Sequence, residues 1–139
     1  MSASHRSKSA VLTGTRTNTV VPAPADIQNG DLLELSLYIE TLTATPPAGF
    51  TAFTGLGPLV FPVNNARLYK WWKRADGEAG DYTITHASAV TNALMNAYPG
   101  VVLVGSPEDV TPSINSGNAN PVITATGINV RTPGSMVIW

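Results

Sequence analysis

The chain has 139 residues, 43% hydrophobic and 12% charged, with a formal net charge of −1. That is enough chain for one domain with a real core, and the charge gives no overall pull toward nucleic acid or anionic membranes. There is no cysteine, which excludes disulfides, thiolate zinc sites and a cysteine nucleophile.

Residues 1–10 read as a flexible, basic N-terminal arm. His5, Arg6 and Lys8 lie in it, Arg16 follows, and the first acid is Asp26. No apolar stretch opens the chain, so the reading has no signal peptide and places synthesis in a cytoplasm. From Val11 onward the pattern is β, and residues 11–139 read as a single domain. Val, Thr and Ile recur in short runs between Gly and Pro turns.

Asn29-Gly30-Asp31 is a strong turn signal, because glycine tolerates positive φ. The run from Asp31 to Glu40 then alternates. Leu33, Leu35, Leu37 and Ile39 fall on one face, and Glu34, Ser36, Tyr38 and Glu40 on the other. Period 2 of this kind predicts a strand with one face in the core. The prolines of Thr45 to Phe50 mark a connection or a sheet edge, with Phe50 and Phe53 capping the core.

Ala66 to Ala75 is the next strand, Asp76 to Gly80 a turn, and Asp81 to Ala87 the returning strand. This hairpin holds Tyr69, Lys70, Trp71, Trp72, Lys73 and Arg74 in succession. Interleaved aromatic and basic residues suit a single-stranded nucleic-acid groove. On a strand, however, neighbouring side chains point to opposite faces. Trp71 and Trp72 are then split, with Tyr69 and Trp71 expected inside and Trp72 outside. The nucleic-acid platform is lost, so the reading has no nucleic-acid partner.

Val90 to Tyr98 fits helical and strand spacing alike; its length and β neighbours favour a strand. Val101 to Val104 reads as a short buried strand, and no run is long enough to span a membrane. Ser106 to Asn120 is a polar loop, with strands at Val122 to Thr126 and Ser135 to Trp139. An apolar end at Trp139 points to docking of that side chain or to a natural chain that continues. Short strands at roughly 8–12-residue spacing predict an all-β, antiparallel β-sandwich of jelly-roll type with about eight strands.

Catalytic signals are weak. The histidines, His5 and His86, have no second ligand at metal spacing. Asp76, Glu78 and Asp81 could pair as acid and base on a sugar, but acids in a Gly-rich turn are ordinarily turn formers. They do not match a calcium loop, and no G-x-S-x-G is present. The reading is therefore non-enzymatic, with no catalytic, cofactor-binding or metal-binding residue and no cofactor.

Ordered short elements carry a resemblance. Pro24 to Leu33 has the form P-x-x-x-x-x-G-D-L-L, and Pro47-Ala48-Gly49-Phe50-Thr51 the form P-x-G-F-T. Leu68 to Glu78 is an aromatic strand running into an acidic turn. Tyr82-Thr83-Ile84-Thr85, Ala97-Tyr98-Pro99-Gly100-Val101 and Pro133-Gly134-Ser135-Met136-Val137 follow in order. The set, over about residues 20–139, resembles a β module of tailed-bacteriophage structural proteins. Pro99 departs from it, since a polar or basic residue is usual there.

The resemblance implies a virion structural protein: a capsid decoration (cement) or head-fibre protein on the outer shell. The alternative is a tail-fibre or receptor-binding module for host surface glycans. It names no catalytic residue. The implied partners are the major capsid protein or other virion proteins, a further copy of the chain (a trimer among the options), and no membrane. The candidate partner-binding residues are Arg6, Lys8 and Arg16, with Tyr38, Trp72 and Trp139 as aromatic anchors.

Overall fold

The computed structural model describes residues 5–40, 43–54, 57–61, 64–99 and 107. The strands expected at Val101 to Val104, Val122 to Thr126 and Ser135 to Trp139 lie outside the described residues, as does nearly all of the loop between them. Among the described residues there is no helix. The strands are β1 (Ser7–Lys8), β2 (Leu12–Arg16), β3 (Thr19–Val21), β4 (Leu32–Ile39), β5 (Thr51–Ala52), β6 (Leu59–Val60), β7 (Arg67–Arg74), β8 (Tyr82–Ile84) and β9 (Ala89–Tyr98).

All the pairings are antiparallel. Among the described residues β4 is the centre of a seven-stranded sheet, with β7 on one side and β9 on the other. β5 and β6 extend the sheet beyond β7, and β1 and β2 extend it beyond β9. β3 and β8 form a second, two-stranded sheet.

The alternation in β4 sets the layering. Leu33, Leu35, Leu37 and Ile39 are fully buried. Register places Trp71 beside Leu35 and Tyr69 beside Leu37 on β7, with Met95 and Ala93 opposite them on β9. Tyr69 and Trp71 stack with ring centroids 5.0 Å apart. Val21, Tyr82 and Ile84 of the second sheet join this cluster, so the two sheets pack as a sandwich. Phe50 seals its margin, edge-on to Tyr82 at 5.4 Å.

A buried polar tie also joins the sheets. His86 Nε2 lies 2.8 Å from Thr19 Oγ1 of β3, which in turn donates to Thr91 Oγ1 of β9 at 3.1 Å. Buried polar groups need such partners, and here the partners come from both layers.

The amino-terminal segment departs from the expected free arm. From His5 onward it lies along β9, which is ten residues long. β2 pairs with β9 only from Ala89 to Ala93, which leaves the far half of that edge for Ser7 and Lys8. Ser9 fastens the junction by exchanging bonds with Met95: its N–H donates to Met95 O at 2.8 Å, and its Oγ accepts from Met95 N at 3.0 Å. Residues 1–4 lie outside the described residues.

Gly30 sets the entry to β4. Its φ is +86°, and its N–H donates to Ala75 O at 2.8 Å. A side chain in that left-handed conformation costs about 1–2 kcal/mol, so Gly30→Ala is expected to destabilise by about that much in urea unfolding. Leu35→Ala, which empties the fully buried centre, is expected to cost about 3 kcal/mol. A loss under 1 kcal/mol for Leu35→Ala would contradict the placement of the core.

Candidate functional site

The side chains of β4 that point away from the core make the candidate site, together with their neighbours on β7 and β9. Register lays them out in rows. Arg74, Leu32 and Tyr98 form one row; Trp72, Glu34 and Asn96 the next. Lys70, Ser36 and Leu94 follow, then Leu68, Tyr38 and Asn92. β1 adds Lys8 beside Asn96, and β5 adds Thr51 beside Trp72.

Glu34 organises this face. Sequence alternation puts it opposite the leucines, where solvent is expected, yet its side chain is only 1% exposed. Both neighbouring strands donate to it. Lys70 Nζ is 2.6 Å from Oε1, and Ser36 Oγ donates to the same oxygen at 3.1 Å. Asn96 Nδ2 and Tyr98 OH donate to Oε2 at 3.1 and 3.4 Å. Burial alone would push the carboxyl up. The Lys70 charge and the bonds from Lys70, Asn96 and Ser36 outweigh it and hold the carboxyl below its ordinary value. Tyr98 is pushed the other way, upward, by burial and then by the Glu34 charge and hydrogen bond.

With Lys70, Ser36, Asn96 and Tyr98 turned to Glu34, the face offers half-buried apolar and aromatic surface. Trp72, Leu68 and Leu94 are half-buried, and Lys8 is exposed beside them. At one corner the Tyr38 ring lies 6.1 Å from Phe61, and Tyr38 OH accepts from Asn64 Nδ2 at 3.0 Å. At the opposite corner His5 meets Tyr98 edge-on at 5.6 Å.

The structure thus brings Lys8, Tyr38 and Trp72 to one face of the sheet. Arg6 is engaged elsewhere: its Nε and Nη2 bind Asp31 at 2.7 and 3.1 Å, and Nη2 also reaches Gln28 Oε1 at 3.3 Å. Arg16 pairs with Ala89 at the far end of β2 and donates to Thr13 O at 3.3 Å, apart from this face. Trp139 lies outside the described residues.

Sequence reading missed Glu34, Lys70, Asn96 and Tyr98 as a unit. Each is visible as an outward position of its own strand, but only the register of three strands brings them together. The acidic turn, by contrast, is a structural clasp. Glu78 pairs with Lys73 at 2.5 Å, accepts from Tyr82 OH at 2.6 Å and from Asp76 N at 3.2 Å. Burial pushes its carboxyl up, but the bonds from Lys73, Tyr82 and Asp76 and the Lys73 charge hold it below its ordinary value. Among the described residues no three His, Cys, Asp or Glu side chains converge on a point. No known family model, curated protein or solved structure matches the chain.

The sign of the acid response follows from Glu34. Its folded carboxyl sits below the ordinary value of 4.5, so its stabilising effect is full above that pH and fades as pH falls through the folded value. Denaturant melts between pH 7 and pH 2 are expected to show wild type losing stability below about pH 4.5 more steeply than Glu34→Gln. At pH 7 the variant is expected to be less stable by about 2 kcal/mol, because Lys70 is left partly buried and unpaired. Equal slopes for the two proteins would remove Glu34 from this role.

Proposed function

We infer that the chain is a non-enzymatic structural protein of a bacteriophage virion, a capsid decoration or head-fibre protein that binds the outer shell. In this reading the sandwich is of jelly-roll type. The protein is made in the host cytoplasm and ends on the capsid surface, as a homo-oligomer that bridges capsid subunits.

The observation that carries the reading is the outward face of the seven-stranded sheet. Trp72, Leu68, Leu94 and Tyr38 stand there over a polar network satisfied from within. Protein interfaces draw most of their energy from aromatic anchors of this kind, with polar groups at the rim. The ordered elements between Pro24 and Val137 supply the phage context. A lattice of identical sites would multiply a modest affinity through avidity.

The Tyr38 corner favours a second reading. An aromatic ring with a neighbouring amide, Asn64, is a chemistry that holds sugar rings, as a host-recognition module of a tail fibre would.

Co-sedimentation with phage heads lacking the protein, with whole host cells in parallel, separates the two. Saturable binding to heads is expected, and Trp72→Ala is expected to weaken it at least tenfold, as for an interface anchor. Lys8→Ala, an exposed rim charge, is expected to change it less than threefold at physiological salt. Binding to cells and not to heads would overturn decoration in favour of recognition.

A further inference from the structure

Arg74 ends β7 on the outward face, beside Leu32 and next along that face from Trp72. Long cationic side chains ordinarily lay their carbon stem on the protein and keep the charged head in water. Arg74 does the reverse. Its Nε, Nη1 and Nη2 are all shielded from solvent, and none has a hydrogen-bond partner. The residue as a whole is half-buried, so the exposure it keeps lies on carbon and backbone. Burial pushes the guanidinium below its ordinary value, and no neighbouring acid opposes the shift.

Three acids on and around the sheet are already taken. Asp31 holds Arg6, Glu34 holds Lys70 and Glu78 holds Lys73. In Arg6, Arg16 and Arg67 only Nε is both buried and without a hydrogen-bond partner, whereas in Arg74 the whole donor fork is. A buried charge without a partner is a net cost to the fold. A planar guanidinium fork fits a carboxylate or a phosphate, received by two parallel bonds. Lys70 and Lys73 are neutralised, so among the described residues no cluster of free cations accompanies Arg74 of the kind a phosphate backbone requires.

We propose that Arg74 is a carboxylate-binding residue that receives an Asp or Glu side chain of a partner protein, with Trp72 as the apolar wall beside it. In the free chain the guanidinium is held at a cost to stability, and the partner's carboxylate relieves that cost. Reaching the surface requires a change of rotamer along a stem that is already partly exposed.

The test uses the whole chain in isolation, so its outcome does not depend on binding to phage heads. Arginine Nε–H signals of 15N-labelled protein are followed while sodium acetate replaces sodium chloride at constant ionic strength. Sodium phosphate provides a separate arm, and melting temperatures are recorded in each salt. Acetate is expected to shift the Arg74 signal saturably and to raise the melting temperature of wild type. Arg74→Lys, which keeps the charge without the fork, is expected to lose most of the acetate stabilisation. Arg74→Met is expected to lose all of it and, in chloride, to melt about 3 °C higher than wild type, since an uncompensated charge is gone. A drift shared by all arginines without saturation would overturn the proposal. So would a stronger response to phosphate than to acetate, or an Arg74→Met protein that melts lower than wild type in chloride.

Discussion

A carboxylate buried on the outward side of the central strand is the constraint on which this structure turns. Glu34 lies between β7 and β9, and accepts from Lys70 on one and from Asn96 and Tyr98 on the other. Taking a carboxylate out of water is costly, and only a nearby cation with well-placed donors offsets it. Those donors are thereby fixed. Lys70, Asn96, Ser36 and Tyr98 are turned toward Glu34, and the surface left to an incoming partner is mainly Trp72, Tyr38, Leu68 and Leu94. One ion pair therefore helps to hold three strands in register and decides which chemistry the face presents.

The two sides of β4 serve different ends. Toward the second sheet, the leucines pack against Tyr69, Trp71, Met95, Val21 and Ile84 in an apolar layer. The polar tie of His86, Thr19 and Thr91 then fixes how the layers sit. Away from it, the same strand carries a network that is polar within and aromatic at its margins. A strand covered on both sides gains stability from packing on one face while the other remains available for specificity. Among the described residues, Arg74 is the cation of that outward face whose donors are all buried without a partner. In this light its position beside Trp72 joins a charge to an aromatic anchor.

Much of the architecture is legible in the residues because it follows from period 2. The alternation from Leu33 to Ile39 gives the core face, and the same rule places Trp71 inside and Trp72 outside. Asn29-Gly30-Asp31 gives the turn into β4 because only glycine takes that φ without strain. Val90 to Tyr98, compatible with a helix by spacing alone, is a strand because Thr91, Ala93, Met95 and Ala97 all face the core. What the residues do not show is set by pairing across the chain. Glu34 looks like a solvent-facing acid until Lys70 and Asn96 arrive from strands 36 and 62 positions away. Ser7 and Lys8 look like a free basic tail until the uncovered half of β9 is seen. Arg74 looks like any surface base, since a missing partner has no signature in a sequence.

The most direct test of the account is a cryo-electron microscopy map of phage heads saturated with the chain. The account predicts ordered density on the outer shell in which Trp72, Tyr38 and Leu94 contact capsid subunits and the β3–β8 sheet lies away from them. Heads without added density, or a bound chain whose Trp72 face points to solvent, would contradict it.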